Sequence, residues 1–203
     1  MSKLTIRKGK TFTHLLRYGV EPFIYKAITE IQQSAPVRIK AVGHGLVNGW
    51  PVAVVSAGGM TQLNAENDPP EPPEFQQATV VDADYIELNR VNASRFKLYT
   101  SGGYLQFYTP IDLAGGTARM VVKTKVDGDT IASSVAAHIT DGALPIAAAL
   151  DNVLKTILFL FTDEVTGAIT NKAAVFECEF EDSAGAVHYL DSGTIDFTAE
   201  VAK

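Results

Sequence analysis

Along much of the chain apolar and polar side chains alternate with a period of about two, the spacing of a strand with one buried face. The clearest run is Val175-Phe176-Glu177-Cys178-Glu179-Phe180-Glu181, which puts Phe176, Cys178 and Phe180 on one face and the glutamates on the other. It predicts a half-buried antiparallel strand. Asp182-Ser183-Ala184-Gly185 then turns the chain, residues 186–190 return it, and Asp191-Ser192-Gly193 turn it again. Residues 194–201 close a three-stranded meander with Ile195 and Phe197 inward.

Upstream, strands are expected over residues 5–7 and 10–18 around a turn at Gly9, then over 36–42 and 51–55. Residues 78–81 and 85–88 flank Asp82-Ala83-Asp84, which reads as a hairpin turn, and 104–108, 117–125 and 152–161 continue the pattern. Two stretches carry helical signals. Residues 27–33 form a short helix or a linker, and Thr162 offers a capping hydroxyl ahead of Asp163 and Glu164. Neither is long enough to shift the class, which is all-β. Residues 66–74 hold four of the nine prolines and no positive charge. Proline lacks the amide hydrogen of a central strand, so this segment is expected to be an extended, polyproline-like solvated loop.

Composition and charge narrow the partners. With 203 residues, 46% of them hydrophobic and 20% charged, the chain can bury a core. A net charge of −6 argues against nucleic acid or an anionic membrane as partner. The charge is uneven: Lys3, Arg7, Lys8, Lys10, Arg17 and Lys26 lie near the start, and Glu177, Glu179, Glu181, Asp182, Asp191, Asp196 and Glu200 near the end. The two ends are expected to be neighbouring strands with opposite charges facing each other. Cys178 is the sole cysteine, so no intrachain disulfide or multi-cysteine zinc site can form, and a reducing cytoplasm is the expected place of synthesis. The first residues lack the apolar segment of a signal peptide, and the longest apolar run, 157–161, is far short of a bilayer span. A soluble protein is expected.

Candidate chemistry is sparse. His14, His44, His138 and His188 show no metal-ligand spacing, and no GxSxG, P-loop or GxGxxG signature occurs. His44, in a Gly-His-Gly turn, is expected to bond its own backbone. Asp127-Gly128-Asp129 and Asp82-Ala83-Asp84 resemble fragments of a calcium loop but continue into no EF-hand, and read as turns. Cys178 falls on an apolar face and reads as a buried small hydrophobe. Trp50, Tyr99 and Tyr104 could form a sugar platform, although Trp50 just before Pro51 is better placed for the core. The expectation is a non-enzyme with no catalytic, cofactor-binding or metal-binding residues.

Residues 37–42, Gly43-His44-Gly45-Leu46, Asn48-Gly49 before Pro51-Val52, and Gly58-Gly59-Met60 leading into Leu63-Asn64 form one string. It continues through residues 78–81 and 85–88 to Tyr99-Thr100-Ser101-Gly102-Gly103. This string resembles a small module of phage tail proteins, itself likened to the first catalytic-cysteine half-domain of ubiquitin-activating enzymes. The resemblance implies a small barrel or sandwich with Leu46 plugging its core, and carries no ubiquitin chemistry. The Pro-rich segment departs from the module, where a shorter stretch stands.

The flanks are similar to the immunoglobulin-like N-terminal domain of the phage baseplate upper protein family. The matching pieces are Lys8-Gly9-Lys10-Thr11-Phe12, Pro110-Ile111-Asp112-Leu113-Ala114-Gly115, Thr162 to Thr166, Phe176-Glu177-Cys178-Glu179-Phe180 and Ser192-Gly193-Thr194-Ile195. In that family the first strand runs almost directly into "P-I-D-L"; here about ninety residues intervene. The two resemblances together imply an immunoglobulin-like antiparallel β-sandwich, residues 1–30 plus 105–203, interrupted by a small β-module over residues 31–104. They imply a structural protein of a tailed-phage virion, assembled in the host cytoplasm and placed at the baseplate or tail tip. Its partners would be other tail or baseplate proteins and further copies of itself, in a trimer- or hexamer-compatible oligomer. The alternatives are a carbohydrate-binding module on the tail, a head decoration protein or a tail-tube protein. The loops at 43–49, 58–61 and 66–74 are the expected contact tips.

Overall fold

The computed structural model describes residues 2–199. The chain divides into two compact units, a discontinuous one made of the residues up to Tyr18 with those from Asp112 onward, and a continuous one spanning Gly19–Ile111. Two strands precede the insert, β1 (Ser2–Arg7) and β2 (Phe12–Leu16). The insert holds β3 (Gly19–Ala27), β4 (Glu30–Gln32), β5 (Val37–Lys40), β6 (Pro51–Val55), β7 (Gln76–Val80), β8 (Tyr85–Leu88) and β9 (Tyr104–Pro110). After it come β10 (Thr117–Lys123), β11 (Thr130–Ser133), β12 (Leu144–Pro145), β13 (Ala147–Asp151), β14 (Thr156–Phe161), β15 (Ala173–Glu181) and β16 (Val187–Thr198). Two short helices interrupt them, α1 (Ala136–Thr140) and α2 (Asp163–Ala168).

The discontinuous unit is an immunoglobulin-like sandwich. Among the described residues one sheet has the order β1-β16-β15-β10-β11-β12 and the other β13-β14-β2. The third, sixth and seventh strands of an immunoglobulin domain share one sheet, and the second, fifth and fourth the other. Here β10, β15 and β16 lie together, as do β2, β14 and β13, and the first strand runs parallel to the last. The sheets face each other through alternating side chains: Met120, Val122, Phe176, Cys178, Phe180 and Ile195 from one, Ile157, Phe159 and Phe161 from the other, all buried. Between β12 and β13 the chain changes sheets at Ile146, whose N–H donates to the Ser133 carbonyl before the next residues pair with β14.

Residues 186–198 depart from the expected meander. Asp191, Ser192 and Gly193 make no turn; they pair in register with Cys178, Glu177 and Phe176, and β16 runs through them. Gly193 serves close approach instead, since a Cβ there would stand 1.8 Å from the Ser2 carbonyl oxygen on the neighbouring β1. The end of the expected last strand, residues 200–201, lies outside the described residues. The opposite charges of the two chain ends do meet, with Lys3 Nζ 2.9 Å from Asp196 Oδ2 across the β1–β16 pair.

The insert is a seven-stranded sheet among the described residues, ordered β3-β9-β6-β7-β8-β5-β4. Residues 27–33 are not helical but carry the chain from β3 into β4. The Ile28 N–H donates to Gly103, beside β9, and the Thr29 N–H donates to Lys40 of β5. One continuous run therefore borders both ends of the sheet and closes it into a small barrel. Its core holds Trp50, Met60, Ile39, Ile86, Leu105 and Phe107, with Leu46 buried beneath its turn as expected. Pairing also moves the seams between units: residues 19–30 and 105–111, expected in the sandwich, belong to the barrel unit because β3 pairs along its length with β9.

Candidate interaction surfaces

The four histidines fall into four separate settings. His14 points into the sandwich from β2, its Nε2 3.2 Å from Asp191 Oδ2, while Ser2 Oγ donates to Asp191 Oδ1 at 2.7 Å. Burial holds the His14 imidazole below its ordinary pKa, and the Asp191 carboxylate opposes that shift. His44 is 2% exposed. Its Nδ1 accepts the Leu46 N–H at 3.0 Å, so the proton sits on Nε2, which donates to the Asp82 carbonyl at 3.0 Å. The turn histidine thus bonds its own backbone, as expected. His138 Nδ1 lies 3.0 Å from Ser133 Oγ, and His188 Nε2 3.1 Å from Asp182 Oδ2. No cluster of three or more His, Cys, Asp or Glu side chains suited to a metal occurs among the described residues.

The Asp82-Ala83-Asp84 turn uses its carboxylates on the backbone. Asp82 Oδ1 accepts the Asp84 and Tyr85 N–H groups, and these bonds hold its carboxyl below the usual range. Asp84 Oδ1 accepts the Gly43 N–H at 2.9 Å, which ties the two turns together. Asp127 lies in the β10–β11 turn, where Thr124 N–H bonds to Asp129 O and Gly128 N–H to Lys125 O. Cys178 is fully buried, and desolvation pushes its thiol pKa far up, so it is an inert packing residue.

Trp50 packs in the barrel core as expected, and the alternative platform of Trp50, Tyr99 and Tyr104 does not assemble. Trp50 is 2% exposed and its Nε1 donates to the Tyr108 carbonyl; Tyr99 spends its hydroxyl on the Ile28 and Gly102 carbonyls. Tyr104 is exposed and meets Tyr25 edge-to-face.

The Pro-rich segment is folded, not extended. Glu74, at the end of a 3₁₀ turn over Pro72–Glu74, accepts the N–H groups of Glu66, Asn67 and Glu71 and the Asn67 side-chain amide. That many donors hold its carboxyl below the usual range, the Glu71 N–H contributing most, and they offset the repulsion of a segment without cations. Pro70 is buried. The expected tip at 58–61 is not free either: Gly58 exchanges bonds with Thr100 and Ser101, and a Cβ on Gly59 would lie 2.1 Å from the Leu98 carbonyl. At 43–49 Gly43, Gly45 and Asn48 are the exposed positions, because His44 and Leu46 fold inward.

Comparison with protein-family models and with curated proteins finds no match for this chain.

Three surfaces remain as candidates. On the barrel, a groove of about 580 Å³ is lined by amides (Asn48, Gln76, Asn89), Arg90 and Phe75. The Gln76 Oε1 there is buried without a hydrogen-bond partner. On the sandwich, a shallow groove of about 690 Å³ crosses β10, β15 and β16 and is lined by Arg119, Lys123, Glu177, Glu179 and His138. Arg119 reaches Glu179 at 3.5 Å and Glu181 at 3.3 Å along this charged face.

The third surface is the outer face of the other sheet. Leu160 lies opposite Ala147 and Thr13, and Leu158 opposite Ala149 and Leu15, so these six residues share one face with no charge among them. Leu15, Ala147 and Ala149 are exposed, Leu158 and Leu160 half-buried. An antiparallel sheet in water normally turns polar side chains outward. The signal for this surface stood in the sequence: residues 157–161 are apolar at every position, which in a sandwich strand means two apolar faces.

Proposed function

We propose that this chain is a non-catalytic structural protein of a tailed-phage virion, placed at the baseplate or tail tip, that holds receptor-binding proteins or fibres. Two lines support the reading. The motif strings resemble phage tail and baseplate domains in both halves of the molecule. The observation that carries the assembly role is the uncharged patch of Thr13, Leu15, Ala147, Ala149, Leu158 and Leu160 on the outer face of the β2-β14-β13 sheet, a surface that gains by being covered. Mass spectrometry of purified particles of the encoding phage, with cryo-EM to place the chain, tests the proposal. The expected result is a tail-end location with a copy number that is a multiple of three or six. Absence from mature particles would overturn the structural role, and a location on the head or along the tube would move the chain to the decoration or tube class.

A second reading, a carbohydrate-binding module, draws on the amide-lined barrel groove. Amide side chains donate and accept together, as vicinal hydroxyls require, and Phe75 supplies an apolar wall. Calorimetry against host-surface glycans tests it: binding that Asn89→Ala removes would favour this reading, and no heat with any glycan would discard it.

A further inference from the structure

The free edge of β13 is the least protected strand edge in the sandwich. An edge strand presents unpaired N–H and C=O groups, and soluble proteins guard it with charge, proline, shortness or a cover. The other edges carry such guards. β1 holds Lys3 and Arg7 and is followed by Lys8; β12 is two residues long and ends in Pro145. β2 is flanked by Lys10 and Arg17, and the Thr166 hydroxyl of α2 bonds to the Lys10 carbonyl at its start. β13 reads Ala147-Ala148-Ala149-Leu150-Asp151; its three alanines are exposed, it contains no proline, and its one charge is at the last position. It pairs with β14 on one side, and no bond to a described residue occupies its other side. Alanine is a poor strand former, so this strand gains little from its own side chains.

We infer that β13 pairs antiparallel with β13 of a second copy of this chain, joining two three-stranded sheets into one of six strands across a two-fold axis. The strand's own sequence argues for a copy over an unrelated partner. Centred on Ala149, the antiparallel register sets Leu150 opposite Ala148 of the second copy and Asp151 opposite Ala147, each twice by symmetry. Every large or charged side chain then meets an alanine, no two carboxylates meet, and the small residues let the backbones approach. Such an isologous contact is the commonest way identical chains associate. The pairing also brings the outer faces that carry Leu15, Leu158 and Leu160 of the two copies side by side, joined at the centre of the seam through Ala149 and bounded by Asp151 at its two ends. This inference names a partner for the assembly role proposed above, but it is tested on the purified protein and stands or falls apart from particle composition.

The test is light scattering of the purified full chain over a concentration series, with two opposite charges placed at one exposed position. The native protein is expected to be dimeric. Ala147→Asp sets a new carboxylate opposite Asp151 twice per dimer and is expected to weaken association about tenfold or more. Ala147→Lys sets an ammonium there and is expected to hold the dimer at least as well as the native chain. Circular dichroism of both variants checks that the monomer is folded, since Ala147 is exposed and tolerates either side chain. A protein that stays monomeric at all concentrations would overturn the inference and leave the edge to a strand of another protein. A dimer that both variants weaken equally, or that neither changes, would overturn the register.

Discussion

Burial strips water from the His14 imidazole, and the Asp191 carboxylate only partly replaces it, so protonating this ring in the folded state is harder than in the unfolded chain. An unfolded histidine takes up a proton near pH 6.5. As the pH falls below about 6.5 toward the lower folded value, the unfolded state binds a proton that the folded state refuses, and stability drops. The expected outcome is a loss of folding stability with falling pH in that window, seen by urea denaturation at stepped pH, and a flatter profile in His14→Gln. An unchanged slope in the variant would move the effect elsewhere. Asp182 does not confuse this window. The His188 ring and the Ala184 and Ala186 N–H groups hold its carboxyl below the usual range, so its contribution is lost only in more acid solution, as the pH falls from about 4 through its lowered value. Ring contacts add to the fit of His14, which meets Phe176 edge-on at 5.7 Å.

Among the elements, β16 and α2 show what pattern reading can and cannot deliver. Asp-Ser-Gly is a turn signature, yet at residues 191–193 it sits inside a strand, paired with β15 at all three positions and with β1 at Gly193. Gly193→Ala would force a Cβ into the Ser2 backbone, and the expected cost is about 1–3 kcal/mol as β1 is pushed from β16. Thermal unfolding measures it; a loss limited to a few tenths would mean that β1 can shift freely. At α2 the sequence signal is local and so holds: the Thr162 hydroxyl accepts the Val165 N–H at the helix start. Thr162→Ala is expected to cost about 1 kcal/mol, readable in the same experiment. The contrast explains how much was legible. Strand type, the inward set Phe176, Cys178 and Phe180, the Leu46 plug and the bonding of His44 follow from residues close in sequence. The path through residues 27–33 and the course of β16 depend on partners far along the chain, such as Gly103 for Ile28 and Ser2 for Gly193. The Pro-rich loop folds on a near neighbour, Glu74, but proline and acid composition alone does not reveal which N–H groups that carboxylate gathers. The candidate interface was half legible, since the apolar run 157–161 was visible but the alanine edge beside it had no local signature.

At the scale of the whole molecule, the barrel has its own closed sheet and its own core, and its first and last strands begin and end side by side, with Gly19 opposite Pro110. An insert that leaves and returns at one point places little constraint on its host. Residues 19–111 expressed alone are therefore expected to fold, and so is the sandwich with those residues replaced by a short glycine-serine linker. The sole tryptophan makes the test sharper in the full chain. Trp50 is buried in the barrel core, so its fluorescence reports on the barrel, whereas far-ultraviolet circular dichroism reports on the strands of both units. If the two units fold independently, a denaturant titration gives a fluorescence transition that matches the isolated barrel, while circular dichroism shows a second transition matching the linker-closed sandwich. A single coincident transition by both probes, with neither fragment folding alone, would mean that barrel and sandwich stabilise each other. The insert would then be an integral part of the sandwich rather than a module carried by it.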